Sequence, residues 1–218
     1  SGTRDDWFTM RAAHLAASSQ LDAERVRVDL LQQDETLRAV GSHDEVVMWF
    51  EHDLFCQINL IYLLDRFARQ ATGHARLSLI CIGEYPGVHD FRGLGQLTAE
   101  QMAGLFVTRH EVTAAEMRLA QQAWAAYCAA DPRALEALLQ SDTSAMPFLR
   151  GAILQHLGRF PSTRDGLSHA ENRLLELIAQ GRTTFQSLWP AFFDAEPAYG
   201  LGDTQVWNDL QRMAEAKH

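Results

Sequence analysis

Lysine is almost missing from this chain of 218 residues. The single one, Lys217, stands next to the C-terminus, so 18 of the 19 basic side chains are arginine. A Walker phosphate loop needs a lysine on the phosphates, a pyridoxal enzyme needs one for its Schiff base, and a protein kinase needs one on an early strand. A pyridoxal phosphate site and a Walker-type nucleotide site are therefore excluded as expectations. Cysteine is scarce too. Cys56, Cys81 and Cys128 lie far apart without a CxxC pair, and an odd count would leave one unpaired in a secreted protein, so a reducing cytosol is the easier setting. Zinc signatures of the HExxH or CxxC kind are absent. Long apolar runs are lacking as well: Val46 to Phe50 and Leu54 to Leu64 are interrupted by Glu51, His52, Asp53, Gln57 and Asn59. They fall short of the ~20 apolar residues that span a bilayer. No charged leader with an apolar core and cleavage site opens the chain. The expected location is cytoplasmic, with no membrane partner.

What is present is an ordinary globular composition, 47% hydrophobic and 22% charged, which excludes disorder and fibrous repeats. A chain of this length buries roughly 70% of its unfolded surface and folds without disulfides or metal. The formal charge of −9 would only reach zero with all nine histidines protonated, so nucleic acid is an unexpected partner.

Asp6 to Ser18 and Asp22 to Val40 read as helices. Glu45 to Phe50 is a β-branched and aromatic run, Leu54 to Ala68 a helix with little polar surface, and Arg76 to Gly83 a second buried run. Strand, helix and strand with short connections make a βαβ unit and imply a parallel sheet. From Leu97 the pattern is helical throughout. Thr98 with Gln101, Thr113 with Glu116 and Ser168 with Glu171 have capping-box spacing, and Asp131-Pro132 offers a cap followed by proline in the first helical position. The predicted helices are Thr98 to Thr108, Thr113 to Ala129, Asp131 to Leu139, Pro147 to Leu157, Ser168 to Gln180, Thr183 to Ala195 and Asp203 to Lys217. The expected fold class is α/β: a small parallel-sheet βαβ part, then an all-helical part ending in a winged-helix-like three-helix module. Breaks in the Gly83 to Gly95 loop and the Pro161 to Gly166 turn divide it into residues 1–96, 97–165 and 166–218.

The chemistry concentrates in Trp49-Phe-Glu-His-Asp-Leu-Phe-Cys-Gln57. Glu51, His52 and Asp53 fall where the first strand ends and the crossover helix starts, the edge at which open α/β sheets bind ligands. Three ionisable groups there suit general acid/base work or metal ligation. The plainer alternative makes Asp53 the helix N-cap, Glu51 a solvated group and His52 a turn residue. Cys56, in the first helical turn with His52 nearby, could be an activated thiolate. Its apolar neighbours favour a small buried hydrophobe instead. Gln57 and Asn59 are amides in an apolar helix and need partners, from backbone or ligand.

A loop from Gly83 to Gln96 leaves the same edge and carries Glu84, His89, Asp90 and Arg92, with Gly93 and Gly95 letting backbone approach a ligand. It lacks the GxGxxG pattern, and the alternative is an ordinary crossover loop. A third candidate is Arg150, His156, Arg159 and Arg164, opposed only by Asp165. His156 and Arg159 share a face if the helix runs that far and would clamp phosphate or carboxylate. Salt bridging to acidic side chains is the alternative. Histidines at positions 14, 43, 74, 110, 169 and 218 form no ligand spacing. The final module could be a helix-turn-helix reader, but its last helix offers only Arg212 and Lys217 against Asp203, Asp209 and Glu215. Trp189, Phe192, Phe193 and Trp207 read as a small aromatic core.

Trp49 to Gln57, Phe91-Arg-Gly-Leu-Gly-Gln96, Pro147-Phe-Leu149, Phe160-Pro-Ser162, Gly166-Leu-Ser168 and Gly202-Asp-Thr-Gln-Val-Trp207 together resemble a bacterial family known as domain of unknown function number eighteen thirty-five, with its helical C-terminal companion. The resemblance spans nearly the whole chain. It implies that architecture, a bacterial cytosolic setting and a further strand-rich segment ahead of this sequence, but no activity. The residues point to binding, with or without turnover, of a small anionic or phosphorylated metabolite. Glu51, His52 and Asp53 would act as acid/base or metal groups, Gln57 would orient the ligand, and His89, Gly93 and Gly95 would line it. Arg92, His156 or Arg159 would neutralise its charge. A divalent metal stays open as a cofactor. The reading from another class is a non-catalytic transcriptional or interaction module acting through the last three helices.

Overall fold

The computed structural model describes residues 3–19, 21–70 and 72–215. The chain divides into two compact units. One runs to Val46 and includes Gln70–Ala75, and the other holds Val47–Arg69 and the chain from Arg76 onward. Both expected boundaries, after residues 96 and 165, fall inside the second unit.

The first unit is built on helices α1 (Arg4–Ser19) and α2 (Ala23–Arg38), packed on each other and followed by a 3-10 turn at Ala39–Ser42. Asp22 starts α2 by accepting the Arg25 N–H at 2.8 Å, relieving one of the unpaired donors of a helix start. Phe8, Ala12, Ala16, Val26 and Val40 are buried. Asp34 is buried with them and paired to Arg4 and Arg38, as a charge out of water must be.

The second unit begins within β1 (Glu45–Glu51), and the sheet reads β1, β2 (Arg76–Ile82) and β3 (His110–Glu111) in spatial order, with helix α3 (Leu54–Arg69) joining β1 to β2. The protein is thus a mixed α/β chain. The expectation that everything after Leu97 is helical is corrected by β3. It pairs antiparallel with β2, placing Ser78 opposite Glu111 and Leu79 opposite His110, so the sheet is not purely parallel. α3 buries Leu60, Ile61, Leu64 and Phe67, which explains its lack of a polar face.

Helices α4 (Ala99–Phe106), α5 (Ala114–Tyr127), α6 (Arg133–Leu138), α7 (Leu149–Leu157), α8 (His169–Ala179), α9 (Phe185–Ala195) and α10 (Asp203–Glu215) follow, with a 3-10 turn at Pro197–Tyr199. All three capping boxes form, at Thr98, Thr113 and Ser168. The fourth start shifts by two residues: Asp131 accepts the Arg133 N–H at 3.0 Å and Pro132 precedes the helix. The expected end of the last helix, Lys217, lies outside the described residues. α3 packs on α5 and α7, so the helical segments cover the crossover helix. α8, α9 and α10 close a separate core of Ala170, Leu174, Leu177, Leu188, Phe192 and Val206. The expected aromatic core is corrected in part: Phe192 is buried and Trp189 packs against that core, whereas Phe193 and Trp207 are exposed.

Candidate functional site

The end of β1 and the start of α3 bring three donors together. Glu51, Asp53 and Cys56 each offer an atom within 4.8 Å of the other two. Local structure dictates much of this. Asp53 Oδ1 accepts the Cys56 N–H at 2.8 Å, so Asp53 is the N-cap of α3, and the cap places Cys56 in the first turn beside it. The Cys56 thiol directs its weak donor at Glu51 Oε2, 4.0 Å away. Burial, reinforced by the charge of Asp53, pushes this thiol up to about 12. It is therefore protonated at neutral pH, which overturns the activated-thiolate reading, although a metal ion would still displace the proton.

Two distant loops press backbone onto the two carboxylates. Leu94 donates its N–H to Glu51 Oε1 at 2.6 Å. The preceding Gly93 has φ +156, and a Cβ there would stand 2.5 Å from Glu51 Oε2. On the other side Gly200, left-handed with φ +62, would place a Cβ 2.9 Å from Asp53 Oδ1. Both positions favour glycine: the positive φ strains any side chain, and a Cβ would also have to push the facing carboxylate aside. Gln57, only 1% exposed, spends its amide N–H groups on the Glu51 carbonyl oxygen at 2.7 Å and on Cys81 Sγ at 3.3 Å. It ties the end of β1 to β2 by its donor side. Asn59 bonds the Phe55 carbonyl at 2.8 Å.

The other predicted residues divide. His52 does not join the donor group. Its ring lies beside Phe91 and Phe148, with centroids 6.4 and 6.1 Å away, and its Nδ1 is buried with no hydrogen-bond partner. Arg92 is engaged elsewhere: it donates to the Phe193 carbonyl at 2.8 Å, pairs with Asp194 at 3.1 Å and lies over the Phe193 ring. This guanidinium holds the loop to the end of α9. Glu84, His89 and Asp90 are exposed, and Gly95 has open space around it.

The arginine-rich candidate is also rearranged. α7 stops at Leu157, with Gly158 as its C-cap, so His156 and Arg159 do not share a helix face. Arg150 donates to the Leu139 carbonyl at 2.7 Å, and Arg164 pairs with Asp165 at 3.0 Å. His156 packs between Tyr127 and Phe160, and burial, with help from Arg159, lowers its tendency to protonate. Sequence reasoning missed Leu94, Tyr199 and Gly200. Of these only Gly200 carries a local signal, a glycine directly after the aromatic that ends a turn. Comparison with protein-family models, with curated proteins and with solved structures finds no match.

Proposed function

We propose that the carboxyl end of β1 is a divalent-cation site, with Glu51, Asp53 and Cys56 as ligands, and that the ion holds a small anionic or phosphorylated metabolite. The observation that carries this reading is the convergence of two carboxylates and a thiol within 4.8 Å. One sulfur and two oxygens suit zinc or cobalt, and three protein ligands leave a fourth position for water or ligand. The ion would supply the positive charge that Arg92, bound to Asp194, does not. With a ligand present it would polarise that ligand or its bound water. The β1–α3–β2 segment is read as a parallel crossover, whose carboxyl edge is a usual place for ligands. The resemblance to family eighteen thirty-five favours a bacterial cytosolic setting.

The test is titration of the metal-free chain with cobalt(II). A sulfur-to-cobalt charge-transfer band that disappears in Cys56→Ser and a thermal stabilisation by zinc that weakens in Glu51→Gln support the reading. A metabolite panel with and without zinc then finds the anion. No band and no stabilisation overturn it.

A second reading is favoured by Leu175 and Trp207, exposed by 43% and 47% on α8 and α10. In it, α8–α10 form a degenerate winged-helix-like module that binds a protein partner through an apolar face. Arg212 is tied to Glu171 and Asp209, which speaks against a nucleic-acid role for α10. Retained partner binding in Trp207→Ala would remove this reading.

A further inference from the structure

Away from the donor group at β1, five aromatic side chains form a continuous row across three helices. Tyr62 of α3 meets Trp124 of α5 at a ring-centroid distance of 5.1 Å. Trp124 meets Tyr127, one turn further on the same face of α5, at 5.5 Å with the rings 21° from parallel. Tyr127 meets His156 near the end of α7 at 4.8 Å, and His156 meets Phe160, just past that end, at 5.6 Å. The packing of α3 on α5 and α7 is what brings the rings together.

The row is not core. Tyr62, Trp124, Tyr127 and His156 are half-buried, and Phe160 is 44% exposed. The Trp124 indole N–H and the Tyr127 hydroxyl bond to no described residue, and neither atom is buried. Rings that pack side by side while turning an N–H and an O–H to water have the two-sided chemistry of interface residues. His156 keeps its place at a cost, because its Nδ1 is buried without a partner. Ring contacts, rather than a hydrogen bond at that nitrogen, hold the imidazole in the row.

The composition of the row selects its ligand. Sugar hydroxyls are donors and need acceptors as well as a ring to lie on, and the row holds no carboxylate or amide. A nucleic-acid strand needs a cationic groove, and the chain carries −9. An extended proline-rich peptide is the better complement. Polyproline II makes no internal hydrogen bonds and presents its carbonyl oxygens outward, and proline has no N–H to satisfy. Such a peptide offers apolar rings and acceptors to a surface of aromatic faces and donors. Five rings at steps of about 5 Å reach no further than about seven of its residues, which rise ~3.1 Å each. Arginine stands at both ends of the row: Arg66 donates to the Tyr62 hydroxyl at 3.4 Å, and the exposed Arg159 directly precedes Phe160. The matching charge on the peptide is an acidic residue beside the prolines.

We propose that Tyr62, Trp124, Tyr127, His156 and Phe160 form a docking surface for a proline-rich segment of a partner protein, flanked by an acidic residue. The rings cradle the prolines, and the Trp124 N–H and the Tyr127 hydroxyl donate to peptide carbonyls. None of these residues is a ligand of the cation at β1.

The experiment is fluorescence anisotropy of labelled peptides titrated with the full chain. One peptide has eight prolines and two glutamates at one end, a second has the prolines alone, and a third has the glutamates on a Gly-Ser run. Saturable binding of the first is expected, at least tenfold tighter than the third. Trp124→Phe and Tyr127→Phe each remove one donor and keep a ring, and each should weaken binding about fivefold. Phe160→Ala removes an exposed ring and should weaken it about tenfold. Arg159→Gln should weaken the first peptide and leave the second as it was. Glu51→Gln should leave both unchanged, which separates this surface from the cation site. Equal binding of the first and third peptides, no saturable binding, or an affinity unmoved in Trp124→Phe/Tyr127→Phe overturns the proposal. So does tighter binding of oligouridylate or of a cello-oligosaccharide than of the proline peptide, or a dimer of the chain that Phe160→Ala dissociates.

Discussion

Glu51 and Leu94, 43 residues apart, are joined by a 2.6 Å hydrogen bond from backbone amide to carboxylate. The bond fixes which way the carboxylate faces, and Gly93 makes it feasible by bringing bare backbone against Glu51 Oε2. Gly93→Ala should therefore destabilise the protein by about 1–3 kcal/mol, from the strained backbone and the clash together. In Gly93→Ala/Glu51→Ala the clash is gone and the penalties should sum to less than the two singles. Urea unfolding of the four proteins measures this. Strict additivity would mean that the two residues do not meet.

Asp53 has two roles that substitution can separate. It caps α3 through the Cys56 N–H, and it supplies a carboxylate to the donor group. Asp53→Ala should cost about 1–2 kcal/mol, the usual loss of a cap. Asp53→Asn retains an acceptor for the amide and should stay near wild-type stability while losing most of its zinc response. Equal zinc stabilisation in Asp53→Asn and wild type would remove this carboxylate from the cation site.

Glu116 carries the acid dependence of the β3 edge. It is buried at the start of α5. Burial alone would raise its pKa, but the Thr113 N–H, His110 and the Thr113 hydroxyl outweigh that and hold it below the ordinary glutamate range. A lowered folded pKa means that the ionised form stabilises the fold. That contribution is complete above the unfolded value of ~4.3 and is lost as pH falls through the lower folded value. Glu116→Gln should cost about 1–2 kcal/mol at pH 7 and flatten the stability profile below pH ~4.3. An unchanged acid profile in this variant would place the effect elsewhere.

The three thiols should differ in reactivity. Cys128 is exposed, while burial raises Cys56 to about 12 and Cys81 to about 11. A disulfide reagent at pH 8 should modify one thiol quickly, and that reaction should disappear in Cys128→Ser. Cys56 and Cys81, half-buried and protonated, should react much more slowly than Cys128 in the folded chain, since the thiolate is the form that attacks. Two fast thiols in the native chain would contradict the geometry at β1.

Much of the architecture was legible because it rests on local chemistry. The three capping boxes, the apolar α3 after Asp53 and the β-branched run of β1 all follow from spacing. β3 was not legible: His110 and Glu111 are two exposed polar residues, and only their pairing with β2 makes them a strand. At the site, the convergence of Glu51 and Asp53 was expected, but His52 was grouped with them by proximity in sequence. His52 lies past the end of β1, and its ring sits with Phe91 and Phe148 rather than with the donors. Arg92 misled for another reason. Its partners, Phe193 and Asp194, lie about a hundred residues along the chain, and no local pattern announces them. Gly158 was a readable stop signal, and it ends α7 before Arg159.

The peptide between Tyr199 and Gly200 has one side chain seated against the end of α7 and one backbone carbon against Asp53. The packing at the end of α7 and the placing of the Asp53 carboxylate are therefore set by the same short piece of chain, and a substitution that unseats the Tyr199 ring also moves the neighbour of Asp53.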